Sequence, residues 1–252
     1  MIKVAVIGSG NVAQHLISAF LQSTETELVQ VFSRDKKTLR KFAAAVPVID
    51  DLAELLLADL YIIAVSDSAI GTVSENLPFN NRLVVHTSGG VSIQSLSPKN
   101  RGGVFYPLQT FSKNKPVDFK KIPICLESAS LEDYGLLEKV AKSISGSVHQ
   151  IDSEQRKALH VAAVFANNFT NHLYKISSDI CSANAIAFDI LKPLIAETAQ
   201  KIMTLAPADA QTGPAKRNDS NTIKAHLEFL TDENQKNIYH LLTQSIQNGE
   251  KL

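Results

Sequence analysis

Through roughly the first three-fifths of the chain, short apolar runs alternate with stretches whose apolar positions recur with helical spacing. Residues 2–7 (IKVAVI), 28–32 (LVQVF), 46–49, 60–65 (LYIIAV), 82–86 (RLVVH), 103–106, 122–127 and 147–151 read as strands. Helical periodicity predicts helices over 12–21, 35–45, 69–77 and 131–143, with a single turn at 93–96. The strands are continuously apolar rather than alternating. Such strands are buried on both faces, so the pattern predicts a mostly parallel sheet covered by helices on each side. From Ser153 onward only the helical period of about 3.6 remains. Residues 154–180 form one long helical pattern, and Pro193 suits the first turn of a helix running to about 205. A loop at 206–219 follows. Asp219 or Ser220 is placed to cap the next helix, whose buried face carries Ile223, Leu227 and Leu230, with His226 on that face too. Thr231 is placed to cap a last helix reaching about 247. The chain therefore divides into an α/β domain over 1–152 and an all-α domain over 153–252.

The turn after the first strand carries the most specific chemistry. Gly8-Ser9-Gly10-Asn11-Val12-Ala13 follows an apolar run and opens a helix, which is the G-x-G-x-x-G/A pattern in a strand–turn–helix context. Gly8 permits the tight turn. Gly10, with no Cβ, lets a pyrophosphate approach the backbone, and Ala13 lets the helix pack close to the strand. The helix start offers unbonded N–H groups and a positive dipole end to phosphates. The expected architecture is a Rossmann-type sheet with helices on both faces, followed by the helical domain. Gly8, Ser9, Gly10, Asn11 and Val12 are expected to bind the dinucleotide.

Ligands of such sheets sit beyond the carboxyl ends of the strands. Here those ends are Ser33-Arg34, Val65-Ser66-Asp67 and Thr87-Ser88-Gly89-Gly90. Phe32-Ser33-Arg34-Asp35-Lys36-Lys37 chooses the cofactor. Ser33 and Arg34 suit a ribose 2′-phosphate, by hydrogen bond and by bidentate or stacked guanidinium, and Lys37 adds charge. NADP is therefore expected over NAD, although Asp35 could instead accept from a 2′-hydroxyl. Val65, Ser66, Asp67 and Ser88 are expected around the nicotinamide.

Composition narrows the setting. Among 252 residues, Lys plus Arg equals Asp plus Glu at 25 each, so no charge excess points to nucleic acid or an anionic membrane. No apolar run approaches the roughly 20 residues of a membrane helix. Cys125 and Cys181 match no metal spacing and are expected as reduced, buried thiols, with no metal site. The first strand begins at Ile2, so the expected location is cytoplasmic. Ala158, Ala162 and Ala166 make a small-residue stripe, and His160, Val164, Asn167 and Asn171 a largely polar one, on the long helix. The alanine stripe would admit a second helix, which suits a homodimer.

These motifs resemble a family of bacterial NADP oxidoreductases that join a Rossmann domain to a helical domain of unknown function. The resemblance rests on VIGSGNVA, FSRD, VHTSGG, YPLQTF (106–111), FANNF (165–169) and TGPAKRND (212–219) with the later His226. It spans nearly the whole chain. More distantly the arrangement resembles pyrroline-5-carboxylate reductases, deazaflavin-dependent NADP reductases and β-hydroxyacid dehydrogenases. The last group implies a general-acid Lys one helical turn before an Asn. If Asn168 is that Asn, the Lys position holds Val164; if Asn167, it holds Ala163. Neither side chain can move a proton.

His86, Gln109, Asn167, Asn168, Arg217, Asp219 and His226 are the candidates for the substrate side. His86 and His226 would donate protons. Gln109 and the two asparagines would orient an amide or carbonyl; Arg217 would hold a substrate carboxylate or phosphate, or pair with Asp219 to fix the Thr212-Gly213-Pro214 turn, and this segment would form the substrate side of the cleft. Three readings stay open: reduction of a small carbonyl or imine compound by NADPH, hydride exchange between NADP and a flavin or deazaflavin, and non-catalytic NADP binding.

Overall fold

The computed structural model describes residues 1–113 and 115–249. The chain divides into two compact units, Met1–Asn167 and Asn168–Leu252. The first is built on eight strands: β1 (Ile2–Ile7), β2 (Thr26–Phe32), β3 (Val48–Ile49), β4 (Leu60–Ile63), β5 (Leu83–His86), β6 (Arg101–Pro107), β7 (Ile124–Ser128) and β8 (Val148–Gln150). They form one sheet in the order β3-β2-β1-β4-β5-β6-β7-β8. Every neighbouring pair is parallel except β6 with β7. The winding reverses between β1 and β4, which is where doubly wound sheets open a crevice for ligands.

Register aligns the working end of the sheet. Phe32, Ile7, Ile63, His86, Val104 and Glu127 are successive Cα partners across it. The residues after Phe32, Ile7, Ile63 and His86 therefore form a common rim: Ser33, Gly8, Ala64 and Thr87.

Strand residues alternate between two cores. Val4 and Val6 face Ala13, Leu16, Ile17 and Phe20 of α1 (Asn11–Leu21), and α3 (Leu131–Ile144) adds Leu137, Val140 and Ile144 to the same side. Ala5, Ile7, Tyr61, Ile63 and Val84 face the other way, onto Ile70 of α2 (Ile70–Glu75) and Leu77. Burial on both faces explains why these strands are apolar throughout. A third cluster, Val104, Tyr106 and Cys125, packs against Leu159 of α4 (Ser153–Ala163). An Asp152–Gln155 capping box fixes the start of α4.

Several local expectations are corrected. The helix expected over 35–45 is a 3-10 helix, Lys36–Phe42. Its two buried residues, Leu39 and Phe42, are three apart, the spacing that a helix with three residues per turn eclipses. The 69–77 helix begins with a 3-10 turn, Asp67–Ala69, and ends at Glu75. The long pattern at 154–180 is interrupted by a π-helical segment, Val164–Phe169, before α5 (Thr170–Ala183).

The second unit continues with α6 (Lys192–Lys201), α7 (Pro207–Ala210, within the expected loop), α8 (Ser220–Phe229) and α9 (Glu233–Gly249). Asp219 caps α8 through Thr222 N. At α9 it is Asp232, not Thr231, that accepts from Gln235 N. Among the described residues of this unit only Cys181, Ala215 and Thr243 are buried. Cys125 and Cys181 are free thiols. No helix among the described residues is long and apolar enough to cross a membrane.

Candidate functional site

The glycine turn is shaped by two different constraints. Gly8 has φ +138°, and a Cβ there would lie 2.2 Å from the carbonyl oxygen of Ala64, the first residue beyond β4. Gly8 is thus required by the close approach of neighbouring strand ends. Gly10 has ordinary extended backbone, φ −68°, and a Cβ would meet nothing within 4 Å. Nothing in the fold demands glycine at position 10, and the space beside it is open. No side chain caps α1, whereas Ser130 caps α3 and Asp152 caps α4. The first N–H groups of α1 are thereby left to a ligand. The turn is braced on its outer side by Gln14 Nε2, which donates to Ser9 O at 2.9 Å. Asn11 Nδ2 donates to Phe111 O at 3.0 Å, holding the loop after β6 to the start of α1. These features fit the pyrophosphate of a dinucleotide.

At the end of β2 the groups are sorted by exposure. Ser33 is buried, and its hydroxyl accepts from Asp35 N and bonds the Asp35 carbonyl and the Thr38 hydroxyl. Asp35 spends its carboxylate on Lys37 N, and Lys36 pairs with Asp50 at 2.7 Å. Arg34 is exposed and forms no ion pair among the described residues. The acid that could have selected NAD is thus a local cap, and a guanidinium stands beside it. Val65 is half-buried, while Ser66 and Asp67 are exposed at the end of β4.

The loop after β5 is held by a residue that sequence reasoning missed. Arg156, on α4, is fully buried. Its Nη1 donates to the carbonyls of Ser88, Gly89 and Val91 at 3.1, 3.1 and 2.7 Å. Its Nη2 and Nε donate to Glu127 Oε2 at 3.0 and 3.3 Å, and Ser153 Oγ donates to Glu127 Oε1 at 2.6 Å. Ser88 Oγ accepts from Gly90 N and Val91 N. A buried cation is tolerated because its donors have acceptors. Periodicity gives no warning of it, since Arg at the start of a helix reads as exposed. A second pair lies against the same loop: Tyr106 Oη and His160 Nδ1 are 3.2 Å apart. Tyr106 was visible only as part of YPLQTF, and His160 only as part of a polar stripe.

The expected catalytic residues are divided between the two units. His86 is fully buried at the end of β5. Its Nδ1 accepts from Ser88 N, and its Nε2 has no partner at hydrogen-bond geometry. Burial, reinforced by the Arg156 guanidinium, lowers its pKa to about 4. The expectation that His86 donates protons near neutral pH is therefore corrected: it is a neutral core residue there. Gln109 is exposed and its Oε1 accepts from Thr110 N. Asn167 and Asn168 are exposed within the π-helical segment. In the second unit Arg217 is exposed. Asp219 is occupied as a cap, its carboxylate also accepting from the Thr222 hydroxyl at 2.7 Å, and that hydroxyl holds its pKa low. His226 is exposed rather than inward, and its Nδ1 lies 2.9 Å from Tyr239 Oη on α9. That tyrosine gives the imidazole a partner without burial.

Comparisons with known proteins accord with this geometry. Residues 3–90 match a family model described as NADP oxidoreductase, coenzyme F420-dependent. Residues 122–246 match a domain of unknown function, DUF2520. No curated protein is similar in sequence. A Bacteroides fragilis protein designated a "putative NADP oxidoreductase" is 40% identical over 98% of each chain, with a TM-score of 0.87. Two more distant structures share the fold. A pyrroline-5-carboxylate reductase of Streptococcus pyogenes is 16% identical over 98% of each chain, TM-score 0.66. An imine reductase of Myxococcus stipitatus, solved with NADP+, is 15% identical over 98% of this chain and 92% of its own, TM-score 0.63.

Proposed function

This chain belongs to the family of NADP oxidoreductases that couple a Rossmann-type domain to a DUF2520 domain, and on that premise we propose that it reduces a small carbonyl or imine compound with NADPH. The observation that carries the reading is the open space at Gly10 beside an uncapped α1, at the point where the sheet's winding reverses. Gly8, Ser9, Gly10, Asn11 and Val12 would surround the pyrophosphate. Arg34 would take the 2′-phosphate, with Ser33 shaping the turn that presents it. Val65, Ser66, Asp67 and Ser88 would border the nicotinamide. When bound, the reduced cofactor supplies a hydride, and the protein's task is to orient the acceptor, exclude water and supply one proton. Arg156 serves orientation by fixing the carbonyls of loop 88–91.

The test is loss of NADPH absorbance on mixing the protein with a panel of cyclic imines and short aldehydes and ketones. Turnover of any of them in preference to flavins supports the reading. Oxidation by a flavin or deazaflavin alone replaces it with hydride exchange.

The active form is proposed to be a homodimer. An α-helical unit in which only Cys181, Ala215 and Thr243 are buried among the described residues has large apolar side chains exposed. Phe169, Leu173, Ile190, Leu194 and Leu242 are among its exposed large apolar side chains. In the first unit Ala158, Ala162, Val161 and Phe165 on and just beyond α4 are exposed as well. Isologous pairing with a second copy covers such surface in both chains at once.

A further inference from the structure

We propose that Tyr106 and His160 form the proton-delivering pair of this oxidoreductase, with His160 as the donor and Tyr106 as its positioning residue. The inference rests on the NADPH reading above. Three observations place the pair. Glycine at position 89 is explained by it: a Cβ there would lie 2.5 Å from His160 Nδ1 and 2.8 Å from Tyr106 Cζ. His160 Cδ2 would be 3.8 Å from a Cβ on Gly90, so the imidazole lies along the Gly89–Gly90 backbone. Tyr106 stands two residues beyond Val104, the β6 member of the aligned row, and so lies at the ligand end of the sheet. Both residues belong to the first unit, together with the glycine turn and the ends of β4 and β5.

The chemistry suits the position. Burial raises the Tyr106 hydroxyl above its ordinary pKa, so it remains a phenol. The titratable groups acting on it are Cys125, Arg156 and Asp67, the last just beyond β4. In the proposed arrangement Nδ1–H donates to Tyr106 Oη, 3.2 Å away, which leaves Nε2 as the ring nitrogen that faces the acceptor. His160 is half-buried, which lets solvent recharge it. In the reduction the Nε2–H bond breaks and an O–H or N–H bond forms on the acceptor. The electron pair of the new C–H bond arrives with the cofactor's hydride, and the imidazolium is left as neutral imidazole with Nδ1–H donating to Tyr106 Oη.

Nitrogen-15 NMR of the ring tests this without any substrate. Neutral His160 is expected as the Nδ1–H tautomer, the reverse of the form that dominates in free histidine, and Tyr106→Phe should return it to the Nε2–H form. Saturation with NADP+ should shift the His160 signals, whereas 2′,5′-ADP, which lacks the nicotinamide, should leave them in place. An Nε2–H tautomer in the wild type, or His160 signals unmoved by bound NADP+, overturns the proposal while leaving NADP binding intact. Failure of NADP+ to bind at all overturns the cofactor reading and the proposal with it. In turnover, His160→Asn at the wild-type rate would also refute it; a loss of at least about 100-fold is expected.

Discussion

The guanidinium of Arg156 and the carboxylate of Glu127 meet 3.0 Å apart at a place where Arg156 is wholly excluded from solvent. Their union joins α4 to β7, and the three remaining bonds of Arg156 Nη1 tie both to loop 88–91. Removing one partner leaves the other charge buried and alone. Glu127→Ala should cost about 3–5 kcal/mol in urea denaturation. Arg156→Met keeps much of the volume but leaves Glu127 without its cation and three carbonyls without their donor, so it should be destabilising too. A loss below about 1 kcal/mol in Glu127→Ala would show that the pair is not a structural clamp.

The two glycines of the turn should separate stability from binding. Gly8→Ala forces a Cβ onto the Ala64 carbonyl at a positive φ, and should lower the melting temperature by many degrees. Gly10→Val has room for its side chain and a permissive backbone. It should melt close to the wild type, yet lose NADPH binding measured by calorimetry. Normal NADPH affinity in Gly10→Val would mean that the open space beside α1 is not the pyrophosphate site.

His86 makes stability depend on pH. The unfolded chain takes a proton on this residue below about 6.5, and the folded chain only near 4. Over that window the unfolded state binds more protons, so stability falls as pH drops, by up to about 3 kcal/mol from this residue. His86→Asn keeps an acceptor for Ser88 N and removes the titration. Urea denaturation at pH 7 and pH 4.5 should show a smaller difference in the variant; an unchanged difference would place the acid sensitivity elsewhere.

Much of this was legible beforehand. The run from Ile2 to Ile7 is a strand to the residue, because doubly buried parallel strands are continuously apolar. The glycine pattern located the turn, though the reason for Gly8 lies in Ala64, which is close only in the folded sheet. What escaped was long-range. Arg156 is buried by acceptors that come from 65 to 68 residues away and by Glu127. His226 shares the apolar spacing of α8, yet Tyr239 holds it at the surface. A helical period identifies one face of a helix and says nothing of which partners cover it.

Assembly should be visible in solution. Sedimentation equilibrium at micromolar concentration is expected to give a dimer, and Phe165→Glu, which places a charge on an apolar side chain that is 65% exposed in the single chain, should shift it to monomer. A monomeric wild type would contradict the proposed pairing.

The most direct measurement is calorimetric titration of the protein with NADPH and with NADH, repeated on Arg34→Ala. NADPH should bind more tightly than NADH. The Arg34→Ala change should cost NADPH about 1.5–3 kcal/mol, roughly 10- to 100-fold in affinity, and leave NADH nearly unchanged. Equal affinities for the two cofactors in the unmutated protein, or no binding of either, would contradict the account.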